Sequence, residues 1–256
     1  NLNEEILKEH DQDHFGGLQA TDVLAVKAGI SENHHVLDVC SGMGGPARYI
    51  ADRIGCHVTG LEFTESRYLS SIKLTKLVGL DTRVDFVYGN ALDMPFDDDS
   101  FDVIIGQEAW CHVPDKPRLI AQCARVVKPG GVIAFTDILR TDKLSSGDMR
   151  RLRSEMTFPD LETINGYARL LETNGCTLLE HDDLTEVWKK VLEERLAMYR
   201  NLGSETERVF GAERAREWDD SYGFFVSRYR EGRLGGARFI ARRDRARVSS
   251  HDTETL

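Results

Sequence analysis

Short apolar runs alternate with amphipathic stretches along most of this chain, and that alternation limits its fold more than any other feature. Val36–Cys40 (VLDVC), His57–Phe63 (HVTGLEF), Val84–Tyr88, Phe101–Gly106 (FDVIIG) and Val132–Ile138 (VIAFTDI) read as buried strands. Between them Pro46–Ile54, Glu65–Val78 and Lys116–Val127 carry a helical pattern. Pro46 suits a first helical turn, Gly79 a C-terminal stop, and Lys128-Pro129-Gly130-Gly131 a break. Strands and helices in this order predict βαβ units: an α/β fold whose parallel sheet carries helices on both faces. Leu161–Asn174 adds a helix closed by Gly175, Thr177–Glu180 a sixth strand and Ala237–Ala241 a seventh.

Before that last strand, apolar residues recur at helical spacing from Val187 through Leu192, Leu196 and Tyr199 to Trp218, Phe225 and Tyr229. This predicts a helical insertion over 185–232, packed on one edge of the sheet. The 256 residues suit a single domain over 1–256, with an N-terminal lid or helical segment at 1–30. The tail after Arg242 is polar and is expected to fray.

Composition excludes several classes. Lys and Arg number 33 against 43 Asp and Glu, a formal charge of −10, so no nucleic-acid partner is expected. The five cysteines show no C-x-x-C spacing, which suits free thiols in a reducing compartment and no metal site. No apolar run reaches membrane-span length, and the opening NLNEEILKEHDQDH is too polar for a signal peptide. The expectation is a cytoplasmic chain without a membrane partner; a homo-oligomer stays open.

Asp38-Val39-Cys40-Ser41-Gly42-Met43-Gly44-Gly45 follows the first strand and opens a helix. Glycines there allow a tight turn and close approach of backbone to ligand, and the helix N-terminus offers free N–H groups. Glu62 ends the next strand, 20 residues after Gly42, where a carboxylate can take both hydroxyls of a ribose. Gly42, Gly44 and Ala47 also satisfy G-x-G-x-x-A, a dinucleotide signature. Asp38 argues against that, since it would face and repel a pyrophosphate. It suits a ligand with a positive end, such as S-adenosylmethionine (SAM); the plainer alternative is that Asp38 caps the turn.

VLDVCSGMGGPARYIA, GLEF, GNALDMPFDDDSFDVI and ARVVKPGG, in that order over about 36–131, resemble the motif set of class I SAM-dependent methyltransferases. The resemblance implies a Rossmann-like seven-stranded, mostly parallel sheet that binds SAM and releases S-adenosylhomocysteine (SAH). It implies that Asp38, Gly42, Gly44 and Gly45 flank the methionine part. Glu62 would then hold the ribose, Phe63 pack near the adenine, Asn90 and Ala91 meet the adenine edge, and Gln107 border the cofactor. Cys40 stands where the family has Gly, and Asn90 where Asp is common.

The segment Gln107-Glu108-Ala109-Trp110-Cys111-His112-Val113-Pro114-Asp115-Lys116 is similar to a narrower group. It resembles sarcosine/dimethylglycine N-methyltransferases and, more distantly, phosphoethanolamine methyltransferases, as do FGGLQAT at 15–21 and the long insertion. In the phosphoethanolamine enzymes the equivalent His is catalytic, which implies a catalytic His112. Their N-terminal catalytic Tyr and phosphate-binding tyrosines have no match here, against phosphoethanolamine as substrate. Glu108 is expected to orient His112, and the acceptor to be a small molecule. A neutral amine must be present for methyl transfer, and a nearby His can take its proton. The structural alternative for His112 is a loop histidine.

Trp110 is either a pocket wall for a cationic amine or plain core. Adjacent His34 and His35 lack further ligands for a metal, and the acidic run at 97–99 suits a solvated turn. Arg140, Arg150, Arg151 or Arg153 is a candidate clamp for an acceptor carboxylate. Eight arginines between Arg228 and Arg247 are expected to face solvent or pair with acids. Three readings remain open: N-methylation of a small amine or amino acid, O- or C-methylation of a small natural product, and a SAM-binding module without catalysis.

Overall fold

A computed structural model describes residues 2–245; of the tail after Arg242 expected to fray, Arg243 instead ends the last strand, and 246–256, with Arg247, lie outside the described residues. The element order is α1 (Glu4–Leu7), α2 (Gly17–Lys27), β1 (His35–Val39), α3 (Gly45–Ile54), β2 (His57–Glu62), α4 (Glu65–Leu77), β3 (Val84–Tyr88) and β4 (Phe101–Gln107). It continues through α5 (Lys116–Val126), β5 (Val127–Arg140), α6 (Ser146–Glu155), α7 (Ile164–Thr173), β6 (Cys176–Asp183), α8 (Thr185–Asn201), α9 (Gly203–Phe210), α10 (Ala212–Arg230) and β7 (Leu234–Arg243). The sheet order is β3-β2-β1-β4-β5-β7-β6. β1 to β5 run parallel, and β7 is antiparallel to both of its neighbours. The sequence expectation of a seven-stranded, mostly parallel sheet holds.

Alternation along the strands feeds two cores, because successive side chains point to opposite faces. Leu37, Val39, Ile104, Ile133 and Phe135 pack with α5 and α7 on one face. Val36, Val58, Ile105 and Ala134 pack with α2 and α3 on the other. The insertion forms α8–α10, and Trp188, Leu192, Leu196, Phe225 and Tyr229 build a third core with Phe15 from the N-terminal segment. The order reverses between β1 and β4, so their C-terminal ends open a crevice, the usual ligand position in such sheets.

Two local expectations change. The Lys128–Gly131 break lies within β5, as an irregularity where pairing jumps from Phe101 with Val127 to Val103 with Val132. α6 had no apolar periodicity to announce it; a capping box between Ser145 and Asp148 starts it, and Arg228 and Arg233 hold Asp148. Among the described residues no helix is long and apolar enough to cross a membrane.

Candidate active site

The turn after β1 bends at Cys40, whose φ of 66° is unusual for a side-chain-bearing residue. Its N–H and that of Ser41 donate to the Leu61 carbonyl at 2.8 and 3.1 Å, tying the turn to β2. Gly44 (φ 81°) precedes α3, and a Cβ there would lie 2.4 Å from the Phe86 ring. At Gly45 a Cβ would lie 2.1 Å from the Asp11 carbonyl oxygen. These glycines therefore admit Phe86 and the N-terminal segment. Gly44 does not border the cavity below, unlike Gly42 and Gly45. Gly45→Ala is expected to push residues 2–21 off α3 and speed their amide exchange at least tenfold (order of magnitude, from loss of local closure). Exchange mass spectrometry reads this; unchanged rates would mean that the segment is anchored elsewhere.

Two cavities lie over the strand ends. One, of about 400 Å³, is bordered by Asp38, Gly42, Gly45, Gln107, Glu108 and His112. The other, of about 540 Å³, is bordered by Glu62, Phe63, Asn90, Ala91 and again His112. Cys40, Arg67, Ala109 and His112 border both, so the two form one trench. Of the residues expected to hold the cofactor or carry catalysis, all but Gly44 border this trench.

Asp38 is 4% exposed, and its Oδ2 has no hydrogen-bond partner among the described residues. Burial, and then the charge of Glu62, push its pKa up to about 7. Glu62 accepts from the N–H groups of Gly42 (2.8 Å) and Thr64 (2.7 Å), one on each oxygen. A carboxylate has about four acceptor positions, so two remain for hydroxyls. Phe63 is 65% exposed beside the same cavity, an open ring for a base to cover. Asn90 Oδ1 accepts the Leu92 N–H at 2.9 Å, leaving the NH₂ group for an adenine edge. The donor set thus fits SAM: a buried acid for the ammonium, a second acid for the ribose, and an exposed ring.

The expected Glu108–His112 pairing is not made. Glu108 (φ 47°) turns inward and accepts the Phe15 N–H, and burial pushes its pKa up to about 7. His112 Nδ1 instead lies 3.0 Å from the Thr157 carbonyl. A carbonyl only accepts, so Nδ1 carries the proton and Nε2 keeps its lone pair. The ring packs on Phe158 at 5.1 Å, and partial burial lowers its pKa, keeping it neutral at pH 7. Gln107 faces the N-terminal segment, its Nε2 3.4 Å from His14 Nδ1. Burial lowers the His14 pKa to about 4.

Trp110 is core, fully buried and stacked on Phe135 at 4.2 Å. None of Arg140, Arg150, Arg151 and Arg153 borders the trench. Arg151 pairs with Glu155 and Asp220, Arg153 donates to the Pro159 carbonyl, and Arg140 to that of Leu161. The trench arginines are Arg67 and Arg195. Arg195, on α8, donates to the His14 carbonyl at 2.8 Å and lies over Phe15. Of the later arginines, Arg228, Arg230, Arg233, Arg238 and Arg243 pair with acids. His35 Nε2 lies 2.8 Å from Thr59 Oγ1 on the neighbouring strand β2, and His34 Nδ1 accepts from the Ser31 N–H. A separate groove of about 620 Å³ among α6 and α8–α10 meets the trench only at Tyr199.

Residues 37–135 match the family described as "Methyltransferase domain". That segment carries the Gly-rich turn, Glu62, Asn90 and the Glu108–His112 turn. The chain is 31% identical over 163 residues to the glycine/sarcosine/dimethylglycine N-methyltransferase of Actinopolyspora halophila, covering 64% of this chain and 29% of that one. It is 33% identical over 169 residues to the sterol 24-C-methyltransferase of Kluyveromyces lactis, covering 64% and 46%. The chain spans between 29% and 62% of the length of the first curated relatives that it matches. In fold it is similar to the cyclopropane synthase MmaA2 of Mycobacterium tuberculosis, with a TM-score of 0.80, 16% identity, and 92% and 88% of the two chains covered.

Proposed function

We propose that this chain is a SAM-dependent methyltransferase whose acceptor is the nitrogen of a small amine or amino acid. The observation that carries the cofactor is the buried, unpartnered Asp38 carboxyl at the head of a trench that continues past Glu62 to Phe63. Bound SAM supplies a methyl group on a positive sulfonium, ready for in-line displacement. The chain supplies position, proton transfer and exclusion of water.

Asp38 would hold the ammonium of SAM and Glu62 its ribose hydroxyls. His112 Nε2 is the base. An alkyl ammonium near pKa 10.4 costs roughly 4–5 kcal/mol to deprotonate at pH 7, at about 1.36 kcal/mol per unit. The proton passes to Nε2, and the freed nitrogen lone pair takes the methyl as its bond to sulfur breaks. Tyr199, Tyr222 and Phe225 offer ring faces to a cationic amine. The segment 2–21 acts as a lid, tied through Asp11 to Arg48 at 2.6 Å and through Phe15 to Glu108. His112, bordering both halves of the trench with Nδ1 held by the Thr157 carbonyl, favours catalysis over mere binding.

A second reading, O- or C-methylation of an apolar natural product, is favoured by Ile138, Met156 and Phe158 in the same wall and by the sterol methyltransferase relatives. A panel of amines, amino acids, phenols and terpenoids with methyl-labelled SAM tests both. Label in an amine supports the first reading; label only in apolar acceptors replaces it with the second. Glu62→Ala removes the acceptor of both turn N–H groups and of the ribose. It is expected to weaken SAH binding by roughly 1.5–3 kcal/mol, the range for a hydrogen bond to a charged group. Calorimetry reads this; unchanged affinity with lower turnover would move Glu62 out of the cofactor site.

A further inference from the structure

Lys116 breaks two local rules. It is 1% exposed, and it stands as the first residue of α5, where the helix dipole disfavours a cation. Lysines are seldom fully buried unless paired. Here the ammonium donates to two main-chain carbonyls, Val113 at 2.6 Å and Asp160 at 3.0 Å. Breaches of this kind concentrate where a site needs them.

The two carbonyls belong to the two segments that meet at His112. Val113 follows His112 in the chain. Asp160 lies three residues after Thr157, whose carbonyl takes the proton on His112 Nδ1. Thr157 sits at φ 55°, a costly conformation for a β-branched residue, so its surroundings must hold it. Asp137 fixes the other side of the turn, accepting the Cys111 N–H at 2.8 Å and the Tyr167 hydroxyl at 2.6 Å.

We propose that Lys116 is a positioning residue for His112: by bridging Val113 and Asp160 it keeps the Thr157 carbonyl against Nδ1 and so leaves Nε2 as the free base. This rests on the reading of His112 as the proton acceptor. Free imidazole favours the Nε2–H tautomer, which has no lone pair on that nitrogen, so the Thr157 contact must be maintained for Nε2 to accept.

The test is ¹⁵N NMR of histidine-labelled full-length chain, with the His112 ring assigned from its loss in His112→Gln. Wild type is expected to show the proton on Nδ1. Lys116→Met, of similar length but without donors, is expected to move His112 toward Nε2–H. Its kcat should fall about 10–100-fold, less than the roughly 10²–10⁴-fold lost when a positioned base is removed outright, with KM for SAM unchanged. Lys116→Gln, which keeps N–H donors, serves if the Met variant does not fold and should show a smaller shift. A merely structural lysine would lower Tm without moving the tautomer. An unchanged tautomer in whichever variant folds overturns the proposal, as does Nε2–H in wild type. Failure of wild type to bind SAH would count against the functional reading, independently of the ring's tautomer.

Discussion

Asp38→Asn is expected to weaken SAH binding by about 10²–10³-fold and, in the same protein, to raise Tm. Removing one member of a buried charge pair costs about 3–5 kcal/mol, and 1.4 kcal/mol is tenfold in affinity. The stability gain comes from the other side of the balance. Without ligand, Asp38 is a buried carboxyl whose Oδ2 finds no partner, and burial raises its pKa from 3.8 to about 7. An unfolded Asp ionises above pH 4, whereas the folded one resists until about 7. Folding is therefore penalised increasingly from pH 4 to 7, and the penalty is constant above that. At 1.36 kcal/mol per unit it reaches at most about 4 kcal/mol. Asn carries no such penalty, so its Tm advantage should be full at pH 8 and vanish near pH 4. Scanning calorimetry at both pH values checks this; a variant that loses binding and stability together would make Asp38 a structural cap.

His112→Ala is expected to lower kcat by roughly 10²–10⁴-fold, the usual contribution of a positioned base. SAM affinity should change little, because Nδ1 is spent on Thr157 and the proposed role of Nε2 is toward the acceptor. The loss should shrink as pH rises toward the pKa of the amine, when solvent supplies the neutral acceptor. On the acid side, wild-type activity should fall only below the ordinary His value, since partial burial lowers the pKa of this ring. A loop histidine predicts parallel pH–rate profiles for wild type and variant, with a lower Tm.

What the sequence carried plainly was local. β1 to β4, the Gly-rich turn, Glu62 and the 107–116 segment are read from neighbouring residues. What it hid was made by distance. Phe15 reaches Glu108 across 93 positions, and Arg195 reaches the His14 carbonyl across 181, with no periodicity to connect them. Arg151 and Arg153 follow β5 closely in sequence, but α6 turns them toward Asp220 and Pro159. The mark of that helix is the Ser145-x-x-Asp148 box and not an apolar face. Glu108 and His112 stand four apart, a helical spacing for contact. The left-handed backbone at Glu108 breaks that spacing and sends the two side chains to different partners.

Titration calorimetry of the wild-type chain with SAH, in buffers of different ionisation enthalpy, tests the central claim most directly. Micromolar-range binding is expected. Near pH 6 close to one proton should be released per SAH, as the ligand ammonium forces Asp38 to ionise below its raised pKa of about 7, and this release should vanish at pH 8. Absence of heat with SAH, together with clear binding of NAD, would contradict the account.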